Sequence, residues 1–402
     1  MVRIKSCLVV MIVIIALLLS VTRAWAEETE EASGIRFDFS GSLEAGKIVQ
    51  EKNDDMFLFA LFPPGSIDFP NEGSYVSLRN DVQIIPNDHL KVKLRLSYVN
   101  NTTATDSPQN DTLALSRGFI DYSPSGVFSL RLGKQRLAWG TGYAWNPTDL
   151  LDLPRNAFTA SDDPEGITAV RTDLKLGPVS GQLVLTPNYP DYDWETTGKA
   201  IRFKASPGGV DLTLGWVDPT IGSEAKTLDF AASIAGIGFH GEAAYQSEGN
   251  RRADKADILN YLLGIDYNFP GGFIVALEYY HNDTAFADAA EAQGFIVTSL
   301  IADPTGFNPM DYLTNLANNG GVTRDHYFLR CSKSFGENTN TELLLVYNAT
   351  DSSLAAQPKF EYTWKQTTTL YIKGLVTQGD ADSEINLLPI AAQWQMGLKI
   401  IF

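Results

Sequence analysis

The sequence predicts an all-β fold, an antiparallel transmembrane β-barrel of about 18 strands, with 16 as the alternative count. Three observations predict it. Short segments that alternate apolar and polar residues recur along the whole chain; tight Pro/Gly turns and long polar segments separate them in strict alternation; and after an N-terminal leader there is no second long apolar run. A period of two puts successive side chains on opposite faces of a strand, and a tilted strand crosses lipid in about 9–11 residues.

The leader comes first. Met1 to Lys5 is basic, Cys7 to Val21 is apolar apart from Ser20, and Ala24-Trp25-Ala26 offers small residues at the two positions a signal peptidase reads. This is the pattern of a secretory signal peptide over residues 1–26. Residues 27–34 follow as a short periplasmic segment, and residues 35–402 as the barrel. Removing the leader takes away Arg3, Lys5 and Arg23 and no acids, so the formal charge of −17 becomes −20. Nucleic acid rewards basic surfaces, so it is excluded as a partner. Cys7 leaves with the leader and Cys331 stands alone, so no disulfide scaffold is expected. No Cys/His cluster is spaced for a metal, and no haem-attachment motif is present. No cofactor is expected.

The strands are read from their alternation. In LKVKLRLSY, Leu90, Val92, Leu94, Leu96 and Tyr98 alternate with Lys91, Lys93, Arg95 and Ser97; IRFDFSGSLEA, VDLTLGWVD, FHGEAAYQ, NYLLGIDYNF and FIVALEYYH repeat the pattern. Tight turns are marked at Pro86-Asn87-Asp88, Pro124-Ser125-Gly126, Gly177-Pro178, Pro207-Gly208-Gly209, Pro270-Gly271-Gly272 and Gly336-Glu337-Asn338, where Pro and Gly suit chain reversal. Between them lie polar segments at 51–73, 101–112, 141–165, 188–197 and 283–322. Short periplasmic turns and long external loops are the habit of outer-membrane barrels, and the order places both termini in the periplasm.

Aromatic placement separates this fold from a soluble sandwich. Tyr98, Trp216, Tyr245, Tyr279, Tyr347 and Trp394 fall on apolar faces near the long-loop ends, and Tyr122, Tyr267, Trp364 and Phe402 near the turn ends. Two girdles on the outer face are what a lipid interface selects.

The last strand, IAAQWQMGLKIIF, places Trp394, Met396, Leu398, Ile400 and Phe402 on one face. It resembles the recognition signal of outer-membrane proteins handled by the barrel-assembly machinery, and the resemblance implies that machinery as a partner. Within LRLGKQRLAWGTGYAWNPTDLLDLP, Arg131-x-Gly133-Lys134-Gln135 with Trp139-Gly140 resembles a strand motif of porin-like channels of the alginate-export type. Thr141-Gly142 departs from the acidic and basic residues that motif would carry next. On the residues alone, Gly133 is expected to let a neighbouring side chain approach the wall, with Arg131 and Gln135 pointing into the lumen.

Two loops share a phrase. Trp145-Asn146-Pro147-Thr148-Asp149 recurs as Phe307-Asn308-Pro309-Met310-Asp311. Asn before Pro at the first helical position reads as a helix start. Each loop is expected to carry a short helix, at least one turning inward to narrow the pore.

The inward face carries the charge. Early strands contribute Arg79, Lys91, Lys93, Arg95, Arg117, Arg131, Arg171, Lys175, Arg202 and Lys204; later ones contribute Asp211, Asp229, Glu242, Asp266, Glu278 and Glu342. Asp81 and Asp173 sit among the bases, Arg324 and Arg330 among the acids. A basic wall facing an acidic one sets a transverse field across an aqueous pore.

No enzyme is expected. There is no Gly-x-Ser-x-Gly elbow, His240 and Glu242 read as a solvated lumen pair, and residues 27–34 are too few for a transporter plug. The expected function is a passive outer-membrane channel for small hydrophilic, anionic solutes, set among lipid and lipopolysaccharide. The alternatives are an export conduit for an anionic polysaccharide, which the motif resemblance implies, and a sheath for a periplasmic or surface partner protein such as a multihaem cytochrome.

Overall fold

The computed structural model describes residues 34–61, 71–103, 111–152, 157–158, 165–188, 193–220, 222–246, 257–304, 306–318 and 320–402. The leader assigned to 1–26 and the segment up to residue 33 lie outside the described residues. Eighteen strands form one sheet. They are β1 Arg36–Lys52, β2 Glu72–Asn87, β3 Leu90–Thr103, β4 Asp111–Tyr122, β5 Phe128–Gln135, β6 Ile167–Leu176, β7 Val179–Thr186, β8 Gly198–Ala205 and β9 Val210–Asp218, followed by β10 Ala225–Ile234, β11 Ile237–Gln246, β12 Ile258–Phe269, β13 Phe273–His281, β14 Asp325–Phe335, β15 Thr339–Asn348, β16 Leu354–Trp364, β17 Thr368–Gln378 and β18 Ile390–Ile401. Each pairs antiparallel with its neighbours in sequence. The sheet closes where β1 meets β18, with Ala45 opposite Leu398 and Val49 opposite Trp394. Closure leaves no unpaired edge, which is the condition for burying a sheet in lipid.

The alternation sorts side chains as the pattern requires. Leu94, Leu214, Leu263 and Met396 are exposed on the outside, and Trp364, Phe402, Tyr347 and Trp394 are exposed at the two rims. The six Pro/Gly turns all fall between strands at one end, and both ends of the barrel segment lie on that side.

At the opposite end, three loops build a small helical cap. Helix α1 (Phe57–Leu61) follows β1, and α2 (Ala289–Ala302) and α3 (Pro309–Asn318) join β13 to β14. The Asp288 carboxylate accepts the Glu291 N–H (2.8 Å), and Glu291 reaches back to the Ala287 N–H (2.7 Å), a reciprocal cap that starts α2. Met56, Leu58, Phe286, Ala292, Ile296, Leu313, Val322 and Leu387 meet in one buried cluster, drawing in the β17–β18 loop through Leu387. The 283–322 segment therefore carries two helices, where the Asn308-Pro309 signal had marked one.

The helix expected at Asn146-Pro147 does not form. The segment makes a single turn, with Asp149 N–H donating to Asn146 O (3.0 Å). The donors that would open a helix are committed elsewhere: Thr148 gives both its N–H and its hydroxyl to Glu242.

Candidate functional site

The loop between β5 and β6 turns into the lumen. Its stems carry Leu137 and Trp139, which pack with Ala169, Val184, Ala200 and Val217 on the inward face of β6 to β9. Small apolar residues facing inward leave room for a loop and gain from being covered. Further along, the loop crosses to the far wall. Thr141 and Gly142 N–H donate to Glu242 Oε1 (2.5 and 2.8 Å), and Thr148 N–H and hydroxyl to Oε2 (3.2 and 2.7 Å). Tyr143 and Ala144 N–H donate to the two oxygens of Glu278 (2.5 and 3.0 Å). His240 Nε2 lies 2.9 Å from Glu278 Oε1. Trp145 then stacks on Tyr280, 5.0 Å between ring centres, against Phe328 and His326.

Within the loop, Asp152 accepts from Leu137 and Ala138 N–H (3.2 and 3.3 Å), and Asp149 from Trp139 N–H (3.1 Å). Burial, with Asp152 beside it, pushes the Asp149 carboxyl up to about 8. Gly140 has φ +93°, and a Cβ there would meet Asn146 Oδ1 and both Glu242 oxygens within 2.7 Å. Only glycine allows that conformation and that approach together.

These contacts correct several expectations. Glu242 and Glu278 are not open pore lining: they are 3% and 0% exposed and hold the loop. His240 is buried and is partnered by Glu278, not solvated beside Glu242. Gln135 is fully buried, its amide donating to Ala169 O (2.9 Å). Gly133, at φ +118°, yields room to the Gly118 carbonyl of β4, 2.3 Å from an added Cβ, and not to a side chain.

Strands β2 to β8 present Arg79, Lys91, Lys93, Arg95, Arg117, Arg131, Arg171, Lys175, Arg202 and Lys204 on the face opposite the exposed leucines. Arg95 is opposite Arg117, and Arg131 opposite Arg171. Hydrogen-bonded rows climb round a tilted wall, and the arginines step back towards the turn end between β2 and β3, between β4 and β5 and again between β6 and β8. Arg79, Arg95, Arg117, Arg131, Arg171 and Arg202 thereby form a belt near one height.

The belt is ordered by neighbours. Arg95 pairs with Asp81 (2.8 Å), Arg131 with Asp121 (2.5 Å) and Arg171 with Asp173 (2.9 Å); Arg202 pairs with Asp229 on β10, and Lys204 with Asp211 (2.7 Å). Arg131 lies over the Phe119 ring and Arg202 over Trp139. Asp266 on β12 keeps 31% of its side chain exposed, and Arg330 pairs with Glu342 (2.7 Å). Trp139, Tyr143, Trp145, Asp149 and Asp152 were not marked as site residues by sequence reading. The signal that could have found them is the run of inward-facing alanines on β6, β8, β10, β11 and β13, which has no purpose in an open wet lumen.

The fold and this inward loop define a porin-like β-barrel. Among solved structures, the chain is similar to OccK11 (OpdR) of Pseudomonas aeruginosa, with 11% identity, a TM-score of 0.56 and coverage of 91% of this chain and 96% of that one. It is also similar to Salmonella typhi OmpF in complex with daunomycin (10% identity, TM-score 0.49, 92% and 99% covered), and to a variant of the Rhodopseudomonas blastica porin (12%, 0.46, 91% and 100%). At such identities the likeness is one of fold. No family model matches the chain, and no curated protein does.

Proposed function

We propose that the chain is an outer-membrane channel that lets small hydrophilic solutes, anions preferentially, diffuse passively across, with its short turns and both termini on the periplasmic side. The observation that carries the anion preference is the asymmetry of the lumen. The arginine belt remains on the wall, whereas Glu242 and Glu278, the deepest acids facing it, are buried under backbone N–H groups of the loop. Acid covered in this way is removed from the water path, and charges lining a narrow pore act at short range. The pairing of Arg95, Arg131, Arg171 and Arg202 with aspartates reduces the belt's field, and Lys91 and Lys175 add positive charge to the same wall.

A conduit for an anionic polysaccharide would use the same belt, one carboxylate per arginine. A sheath for a guest protein is disfavoured, because residues 136–152 already occupy the lumen. Planar-bilayer recording of the purified barrel tests the reading. An open pore should pass chloride in preference to potassium without any partner, and a short anionic oligosaccharide added to one side should block the current in proportion to its length only if the conduit reading holds. A barrel with no conductance when inserted alone would overturn the channel.

A further inference from the structure

The loop that narrows the lumen and the cap that covers the loop end share one wall contact. Trp145 packs on His326 of β14, with ring centres 5.7 Å apart. His326 Nε2 lies 3.0 Å from Glu384 Oε2, and Glu384 belongs to a different loop, the β17–β18 connection. The same carboxylate accepts Val322 N–H (2.7 Å), Thr323 N–H and hydroxyl (3.3 and 2.6 Å) and Asn348 Nδ2 (2.6 Å). Its own N–H donates to Asp351 (2.6 Å). Val322 and Leu387 lie in the cap's apolar cluster. Glu384 is 7% exposed, His326 3% and Trp145 5%, so this chain of contacts is shielded from bulk water.

We infer that Glu384 is a positioning residue for the constriction, acting through His326 and Trp145, so that the external cap and the inward loop move as one unit. Without the carboxylate, Val322, Thr323 and His326 lose a shared acceptor, and buried donors left without one force local rearrangement. The His326 ring is then free to turn from the Trp145 indole, and the loop loses the far anchor of its tip. Anything that displaces the cap from outside would reach the constriction by the same path. This rests on the reading of residues 136–152 as the constriction.

The test reads the loop directly. In the full-length barrel lacking Cys7 and Cys331, a cysteine replaces the fully buried Ala144, and its labelling by an impermeant maleimide is timed. The rate is expected to rise at least tenfold with Glu384→Ala and to return most of the way with Glu384→Gln, which keeps an acceptor. Trp145→Leu should give a similar rise, and combining it with Glu384→Ala should add little, because both cut one path. Unchanged labelling in a Glu384→Ala barrel that keeps its heat-modifiable mobility overturns the inference, as do fully additive effects. If Glu384→Ala fails to fold, Thr323→Val and Asn348→Ala remove donors singly; unchanged labelling in both is equally fatal. Because labelling needs no conductance, failure of the channel reading shows separately, as an electrically silent barrel.

Discussion

Glu278 shows how much one buried carboxylate organises. It accepts two backbone N–H groups and faces His240 with no exposed surface. Truncation to Ala leaves those donors without a partner, at about 1–3 kcal/mol for each unsatisfied buried group. Glu278→Ala should therefore release the loop and raise single-channel conductance, with Glu278→Gln intermediate; conductance equal to the native value would show that the loop is held by other means. Asp149 supplies the pH dependence. Its docked carboxyl titrates near 8, against an ordinary value of about 3.9. A raised pKa means the docked loop holds the proton more tightly, so docking is strongest below about pH 4 and weakens as pH climbs towards 8. Measured relative to an exposed control cysteine, which removes the thiol's own ionisation, Ala144→Cys labelling should quicken between pH 5 and 8, and Asp149→Asn should flatten that relative dependence. Glu384 works in the opposite sense at the acid end. Burial alone would raise its carboxyl, but His326 and the donors from Thr323 and Val322 bring it below the ordinary range. Its contribution is complete at neutral pH and is lost as pH falls through that lowered value.

Among the elements, β18 is the plainest in sequence and the loop after β5 the least. The terminal strand announces its phase by itself, and its outward residues Trp394, Met396 and Leu398 are exposed on the barrel's apolar face. Leu398→Arg should lower the yield of heat-modifiable barrel, since an arginine facing mid-bilayer lipid costs ~2–4 kcal/mol; Lys399→Ala, on the inward face, should leave it nearly unchanged. Equal yields from the two would contradict the assigned phase. The β5–β6 loop was opaque because its order depends on partners about a hundred residues away. Glu242 and Glu278 read as lumen acids, for a period of two says only which face a residue takes, not what lies over it. The Asn146-Pro147 helix signal failed for the same reason, a local preference overridden by a distant carboxylate. At Asn308-Pro309, where the Asn308 side chain accepts the Met310 N–H (3.1 Å), a helix did start.

At the level of the whole molecule, the barrel was legible because lipid and water impose the same alternation on every strand, and eighteen weak signals reinforce one another. Which arginines share a height was not legible, because that depends on register and tilt together. The up-and-down order gives one further expectation. A cysteine at the exposed Glu195, in a long loop, should react with an impermeant maleimide on intact cells, whereas one at Gly208, in a tight turn, should react only after the outer membrane is opened. Equal labelling would reverse the topology.

On the proposed reading, the wall charges near the constriction, and not the formal charge of −17, set selectivity. Exposed loop acids are screened within about 8 Å at physiological salt. The most direct measurement is the zero-current potential in a salt gradient, for the native barrel and for the variant Lys93→Gln, Arg95→Gln, Arg171→Gln, Arg202→Gln. The native barrel should be anion-selective, and the four changes should carry the potential towards cation preference, while Asp54→Asn with Asp55→Asn should move it far less. A cation-selective native channel, or a larger effect from the loop pair, would mean that the basic strands do not line the constriction.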